Sequence, residues 1–294
     1  MTTRRRVARA PASSANLGPG FDVFAAALGL HLELEVAEAG GFSVDAGGLA
    51  VAEDRSNLCV RAFEALHPAD GLRFAIATEI PLGRGLGSSA AAIVAGLLAA
   101  DHLYELGIER DELYSRAVEL EGHPDNVAAS LYGGFVACPT AAGAERPQPV
   151  LLDPPSGVEA VIVIPDEEVP TVAAREALPG DVPFGDAVEN VAAAAQLALG
   201  IERSDLGLIA RGLRDRLHQP ARRALYPRSL ELVESAIELG AIGATISGAG
   251  PSVLVWSFWQ DTGKVVAALE ERCAGWAEVQ RVPFTPDGAE VIEL

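Results

Sequence analysis

The sequence predicts an α+β chain folded as two domains, and three observations carry that expectation. Residues 72–80 form an apolar run that leads into a loop with glycines at 83, 85 and 87. A long Ala/Leu/Ile-rich run leads out of that loop towards Leu106, so the order is strand, glycine loop, helix. Residues 141–157 are rich in Pro, Gly and Ala and read as a boundary, dividing the chain into 1–150 and 151–294. Beyond that boundary the pattern is β-α-α-α-β-β-α-β, helices layered on an antiparallel sheet.

Composition narrows the function. The chain has 294 residues, 49% of them apolar, enough for a sizeable core. Arg4, Arg5 and Arg6 are followed by Val7 and a polar, Gly/Pro-rich stretch, unlike a signal peptide. The alanine-rich run after Ser89 is broken by Asp101, His102 and Glu105, so no segment reads as membrane-spanning. Cys59, Cys138 and Cys273 are scattered without metal spacing, as expected in a reducing cytosol. A net charge of −19 argues against nucleic acid as partner. It also means that an anionic substrate needs local arginines or Mg²⁺.

In chain order, residues 7–10 read as a short strand, running into a loop over residues 12–22. Residues 24–28 are apolar, residues 31–36 alternate as a half-buried strand, and residues 42–45 are expected to pair with it. A helix starts at Ser56 or Asn57 and runs through Leu66. The 72–80 strand, the glycine loop and its helix follow, then an amphipathic helix over 109–121. A polar loop leads to a short helix and Gly133-Gly134. In the second half, 158–164 is a buried strand, and 184–200, 204–217 and 227–239 are helices. Strands at 244–247 and 252–256 flank a glycine turn, and a helix over 262–273 precedes a last strand at 279–282.

The loop reads Pro81, Leu82, Gly83, Arg84, Gly85, Leu86, Gly87, Ser88, Ser89, Ala90, Ala91. Its glycines let backbone N–H groups approach a ligand closely. The helix start behind them presents unpaired N–H donors and the positive end of a dipole, an arrangement that holds phosphate. Ser88 and Ser89 can add a hydrogen bond or a Mg²⁺ ligand. Two familiar phosphate loops do not fit. The P-loop needs a lysine where Ser88 stands, and Lys264 is the single lysine in the chain. The dinucleotide fingerprint needs G-x-G-x-x-G in an early βαβ unit, whereas this loop reads G-x-G-x-G.

Three further clusters carry polar groups. In Ser14-Ala15-Asn16-Leu17-Gly18-Pro19-Gly20-Phe21-Asp22, Asn16 and Asp22 are either turn residues capping backbone or ligands for a hydroxyl and an ammonium. Glu121-Gly122-His123-Pro124-Asp125-Asn126 gathers two carboxylates, an imidazole and an amide. These suit Mg²⁺ and a hydroxyl proton, or else a polar turn in which Asp125 caps the next helix. Ser247-Gly248-Ala249-Gly250-Pro251-Ser252 is either a tight hairpin or a second close approach to a ligand.

The loop has the P-x-x-x-G-L-G-S-S-A-A form of the GHMP kinases, and the other glycine-bearing clusters follow the order and spacing of that family's motifs. The chain resembles this family from about Val7 to Trp256. Within it, S-S-A-N-L-G-P-G-F-D, E-G-H-P-D-N-V-A and the segments carrying Arg175 and Arg222 resemble the members that act on homoserine.

The resemblance implies an N-terminal domain like ribosomal protein S5 domain 2, a ferredoxin-like C-terminal domain, and a site between them. It implies phosphorylation of L-homoserine by ATP with Mg²⁺. Arg175 and Arg222 are then expected on the substrate carboxylate, Asp22 on its ammonium, and Asn126 with Asn16 on its hydroxyl. His123 is a substrate contact or a structural residue, and Gly248 a backbone approach. Residues 81–91 would cradle the phosphates, with Ser89 and Glu121 on the metal. Asn57 either caps its helix or touches the nucleoside. Asp125 is a general base, or transfer is direct. An N-cap role for Asp125 would engage its carboxylate with backbone N–H groups, making it a weaker base and favouring the direct route. A homodimer is a family expectation. The alternatives are another GHMP small-molecule kinase, which for mevalonate-type members calls for a motif-one lysine, or a silent binding module on the same fold.

Overall fold

The computed structural model describes residues 4–139 and 148–292. Residues 141–147 of the boundary stretch expected over 141–157 lie outside the described residues.

The first sheet is built around two long antiparallel strands, β1 (Arg5–Ala15) and β2 (Phe24–Glu38). The expected short strand is therefore eleven residues long. The expected loop starts only at Asn16, because Ala12, Ser13, Ser14 and Ala15 still pair with β2 across a register shift after Pro11. β3 (Ser43–Asp45) runs parallel to β4 (Leu72–Thr78) and does not pair with the 31–36 stretch as expected, because β4 occupies that edge of β2. Helices α1 (Leu58–Glu64), α2 (Ser88–Tyr104), α3 (Arg110–Glu121) and α4 (Asp125–Tyr132) follow, and α2, α3 and α4 pack together. α2 is buried on almost every side, which suits its uniformly small apolar residues. A Cβ on Gly96 would stand 2.3 Å from the Cys59 carbonyl, so glycine is what lets α1 lie on α2. Strands β5 (Phe135–Ala137) and β6 (Val150–Leu152) extend this sheet beyond β2.

The second sheet is fully antiparallel. It contains β7 (Val158–Pro165), β8 (Gly243–Ile246), β9 (Val253–Phe258) and β10 (Ala277–Val282) in the order β10-β7-β9-β8. That is the ferredoxin-like order, with helices inserted between β7 and β8. They are α5 (Thr171–Glu176), α6 (Phe184–Arg203), α7 (Leu206–Gly212) and α8 (Pro227–Ser235); α9 (Thr262–Cys273) joins β9 to β10. The helix expected over 204–217 stops at Gly212, and a turn centred on Asp215 replaces its end.

Side-chain alternation along β7 and β9 gives this sheet two buried faces. Val158, Ala160, Ile162, Leu254 and Trp256 join the first core, while Val161, Val163, Val253 and Val255 pack with α8 and α9. Phe135, Trp256 and Phe284 pack as tilted rings where the two sheets meet, with centroids 4.8–5.5 Å apart. The boundary expected at 150/151 falls inside β6, which pairs with the first sheet. A last strand, β11 (Glu290–Ile292), also returns to that sheet beside β1. The two halves are thus tied by β11 as well as by apolar contact. Among the described residues no helix is long and apolar enough to cross a membrane.

Candidate active site

The glycine loop runs from the end of β4 to the first turn of α2, with Gly83, Gly85 and Gly87 all at positive φ. Two of these glycines are forced by close approach. A Cβ on Gly87 would lie 2.0 Å from Ser13 Oγ, and one on Gly85 would lie 2.4 Å from the Ser247 carbonyl. The loop is therefore pressed between β1 and the β8–β9 turn. Ser247 Oγ donates to the Gly85 carbonyl at 2.7 Å, and Ser13 N–H donates to the Leu86 carbonyl. The 247–252 segment is thus a hairpin turn between β8 and β9, and its close approach is to the glycine loop itself.

Cavities lie on both sides of this loop. One, of about 260 Å³, is lined by Asn16, Phe21, Asp22, Ser89, Glu121, His123, Asp125, Asn126, Arg175, Arg222 and Gly248, together with loop residues. The other, of about 490 Å³, is more apolar and is lined by Leu49, Val51, Asn57, Ile76, Leu82 and Ala92 among others. Gly83, Ser88 and Ser89 border both. The helix N-terminus thus sits between a polar chamber and an apolar one.

Within the polar chamber, Ser89 Oγ donates to Glu121 Oε2 at 2.5 Å, joining the start of α2 to the end of α3. Asp125 begins α4. Pro124, not Asp125, takes the cap position, and the Asp125 carboxylate accepts one backbone N–H, from Asn126, at 2.8 Å. No side chain caps this helix, so the N-cap role expected of Asp125 is not found: Asp125 is the first helical residue. His123 Nδ1 lies 3.4 Å from Asp125 Oδ1, and its Nε2 lies 3.8 Å from Glu121 Oε1. The hydrogen-bonding approach of Asp125 raises the His123 pKa, against partial burial. Asn126 Oδ1 accepts from Ser13 Oγ at 2.8 Å, which orients its amide.

The other wall carries the arginines. Arg175, at the end of α5, makes a two-pronged pair with Asp22 at 2.9 and 3.1 Å. Two residues expected on opposite ends of one zwitterion thus meet each other across the chamber. Arg222 sits in a single 3-10 turn, Pro220–Arg222, and is 2% exposed. Its Nε donates to the Ala174 carbonyl at 2.8 Å, and its Nη1 lies 3.3 Å from the Gly248 carbonyl. Burial lowers its pKa. Both guanidiniums lie near the Phe21 ring, at 5.7 Å for Arg175 and 5.4 Å for Arg222.

Three further residues have hydrogen-bonding roles of their own. Asn16, at φ 71°, donates to the Gly248 carbonyl at 2.8 Å and accepts the Asp22 N–H at 3.0 Å. It lines the chamber, but its amide clasps two loops rather than standing free for a hydroxyl. Arg84 lines neither cavity. Its Nε and Nη2 donate to the Pro165 and Asp166 carbonyls, and its Nη1 pairs with Glu168 at 2.8 Å. Asn57 caps α1, accepting the Cys59 N–H and donating to the Ala52 carbonyl, and it also borders the apolar cavity. Pro81, Ala90 and Ala91 frame the loop without lining either cavity.

Ser13, Phe21, Ser247 and His218 were not singled out by sequence reasoning. Phe21 gave one signal, a large aromatic in a loop of small residues. His218 gave another, four residues before Arg222.

Comparison with known proteins agrees with this geometry. The models of the GHMP kinases N terminal domain and the GHMP kinases C terminal domain match residues 57–134 and 195–277. Homoserine kinase of Thermus thermophilus is 41% identical over 264 residues, covering 88% of this chain and 89% of that one. This chain belongs to the GHMP kinases, in the homoserine kinase family. A homoserine kinase of Clavibacter michiganensis is 41% identical over 281 residues, covering 92% and 87%. A crystal structure of homoserine kinase from Cytophaga hutchinsonii superposes with a TM-score of 0.86 at 30% identity, covering 98% of each chain. The two-domain fold expected from the motifs is the fold of this family.

Proposed function

We infer that this chain transfers the γ-phosphoryl group of ATP to the side-chain hydroxyl of L-homoserine, giving O-phospho-L-homoserine and ADP, a step of threonine biosynthesis. The observation that carries the reading is the polar chamber. Two guanidiniums and one carboxylate line its far wall, and the phosphate-type loop with Asp125 and Asn126 lines its near wall. A short zwitterion with a terminal hydroxyl matches that division of charge. In this reading the carboxylate meets Arg222 and Arg175, and Asp22 takes the ammonium, exchanging part of its pairing with Arg175. The chain lacks a lysine in the first motif, which disfavours mevalonate-type substrates.

The nucleoside is placed in the apolar cavity, and the triphosphate crosses the glycine loop into the polar chamber. Backbone N–H groups at the start of α2 neutralise its charge. The donor set fits Mg²⁺. Ser89 Oγ and the Glu121 carboxylate are adjacent hard oxygens. That is the pattern of an ion held by one carboxylate and substrate phosphates. Bound there, Mg²⁺ supplies charge neutralisation on the phosphates.

Asn126, oriented by Ser13, positions the hydroxyl oxygen for in-line attack on the γ-phosphorus. As the new O–P bond forms, the bridge to the β-phosphate breaks and ADP leaves. In the direct route the hydroxyl proton passes to a γ-phosphoryl oxygen. We favour that route, because the Asp125 carboxylate already accepts the Asn126 N–H and faces His123.

The division into an ATP-binding N-terminal unit and a C-terminal unit is kept with β11 assigned to the first. A cytosolic location is supported by the three free, buried cysteines. A homodimer is supported by the exposed apolar row Phe184, Val188, Val191 and Leu199 on α6. An ADP-release assay with homoserine, mevalonate, shikimate and galactose in parallel tests the substrate. Turnover of homoserine alone supports the reading.

A further inference from the structure

Arg222 is a buried cation in a chamber that must receive an anion, so something has to aim it. Its Nη1 donates to His218 Nδ1 at 3.2 Å. The opposite ring nitrogen, His218 Nε2, lies 2.8 Å from the Gly18 carbonyl and donates to it. These two bonds select one tautomer: a proton on Nε2, and a lone pair on Nδ1 facing the guanidinium. The ring itself is 1% exposed and packs tilted against Phe21 at a centroid distance of 5.3 Å. The Asp215 carboxylate, whose Oδ2 lies 3.5 Å from Nε2, accepts the backbone N–H groups of Leu217, His218 and Gln219, which fixes the turn.

We propose that His218 is a positioning residue for homoserine binding, its neutral Nε2–H ring locking the Arg222 guanidinium to the first-motif loop at Gly18. The inference rests on reading Arg222 as the ligand of the substrate carboxylate. It goes beyond that reading by making a residue remote from the reacting atoms a determinant of substrate affinity.

The surroundings agree. The charged groups that face the ring are Asp215 from its own turn, Arg222, and Asp22 from the first-motif loop; Arg175 and Tyr226 act on Arg222 from beyond. Burial lowers the His218 pKa, and Arg222 pushes it the same way, against Asp215, the Gly18 carbonyl and Asp22. Protonation of Nδ1 would remove the acceptor and set two cations against each other. Homoserine affinity should therefore hold at neutral pH and fall only below about 6.5, the ordinary histidine range.

The test is calorimetric titration of the full chain with homoserine, without nucleotide, for the wild type, His218→Leu, His218→Asn and Arg222→Lys. His218→Leu should raise the Kd about ten- to a hundredfold by freeing the guanidinium, while the KM for ATP stays unchanged. His218→Asn places an oxygen near the Nδ1 position, so it should recover most of that loss and abolish the fall in affinity at acid pH. If Arg222→Lys weakens binding but both His218 variants, folded by circular dichroism, bind like the wild type at every pH, the inference is wrong. If Arg222→Lys itself binds normally, the assignment of the carboxylate to Arg222 fails first, and the inference fails with it.

Discussion

Ser89 Oγ and Glu121 Oε2 are hydrogen-bonded at 2.5 Å, though 32 residues separate them in sequence. The bond joins the N-terminus of α2 to the C-terminus of α3, where a helix start offers phosphate-binding N–H groups and a carboxylate offers charge to a cation. With only one carboxylate in the pair, Glu121→Gln removes the charge but keeps the shape. The kcat should fall about a hundredfold or more, and the Mg²⁺ concentration needed for half-maximal rate should rise. An unaltered Mg²⁺ titration in this variant would discard the assignment.

The arginines should separate from each other by burial. Arg175 is half-exposed and already shares Asp22, so Arg175→Ala should raise KM for homoserine about tenfold. Arg222 is buried and holds the Ala174 carbonyl. Arg222→Lys cannot keep that bond together with the Nη1 contacts, and it should raise KM about thirtyfold or more. KM for ATP should stay flat in both, as steady-state kinetics with each substrate varied would show.

Much of this site was legible because its chemistry is local in sequence. The glycine loop, the 121–126 cluster and the arginine-bearing segments each declare themselves within a dozen residues. What was not legible is non-local. Asp22 meets Arg175 across 153 residues, and Ser13 meets Asn126 across 113. β11 returns to β1 from the far end of the chain, and no periodicity in three residues could announce it. The partner of β3 was misread because neighbouring strands usually pair in sequence order. Here the 46–71 connection, which carries α1, lets β3 and β4 run parallel. Asn16 reads equally as a turn residue or a ligand, because the Gly248 carbonyl that takes its amide N–H lies 232 residues away.

His123 and Asp125 offer a proton-level check. The His123 pKa is raised above 6.5, chiefly by Asp125. Its charged form should therefore persist as pH rises past that value, and whatever stability it contributes should be lost only at higher pH. In Asp125→Asn the His123 Hε1 resonance should titrate at lower pH than in the wild type. The same variant separates two mechanisms. Direct transfer predicts a small loss of kcat. A general base predicts a loss of about 10²–10⁴-fold with the acidic limb of the rate profile removed.

Gly87 gives a structural prediction. Its φ is 69°, and any Cβ would meet Ser13 Oγ at 2.0 Å. Gly87→Ala should cost about 1–3 kcal/mol of stability through backbone strain. It should also raise KM for ATP, because the loop must lift off β1. Chemical denaturation alongside ATP kinetics checks both, and a wild-type denaturation midpoint would contradict the packing.

The most direct measurement is ³¹P nuclear magnetic resonance of the purified protein with ATP, Mg²⁺ and L-homoserine. The account predicts that the γ-phosphate signal disappears as a phosphomonoester signal grows, coupled to the methylene protons next to the homoserine oxygen. Release of inorganic phosphate alone, or no phosphomonoester on homoserine under conditions where another alcohol is phosphorylated, would contradict it.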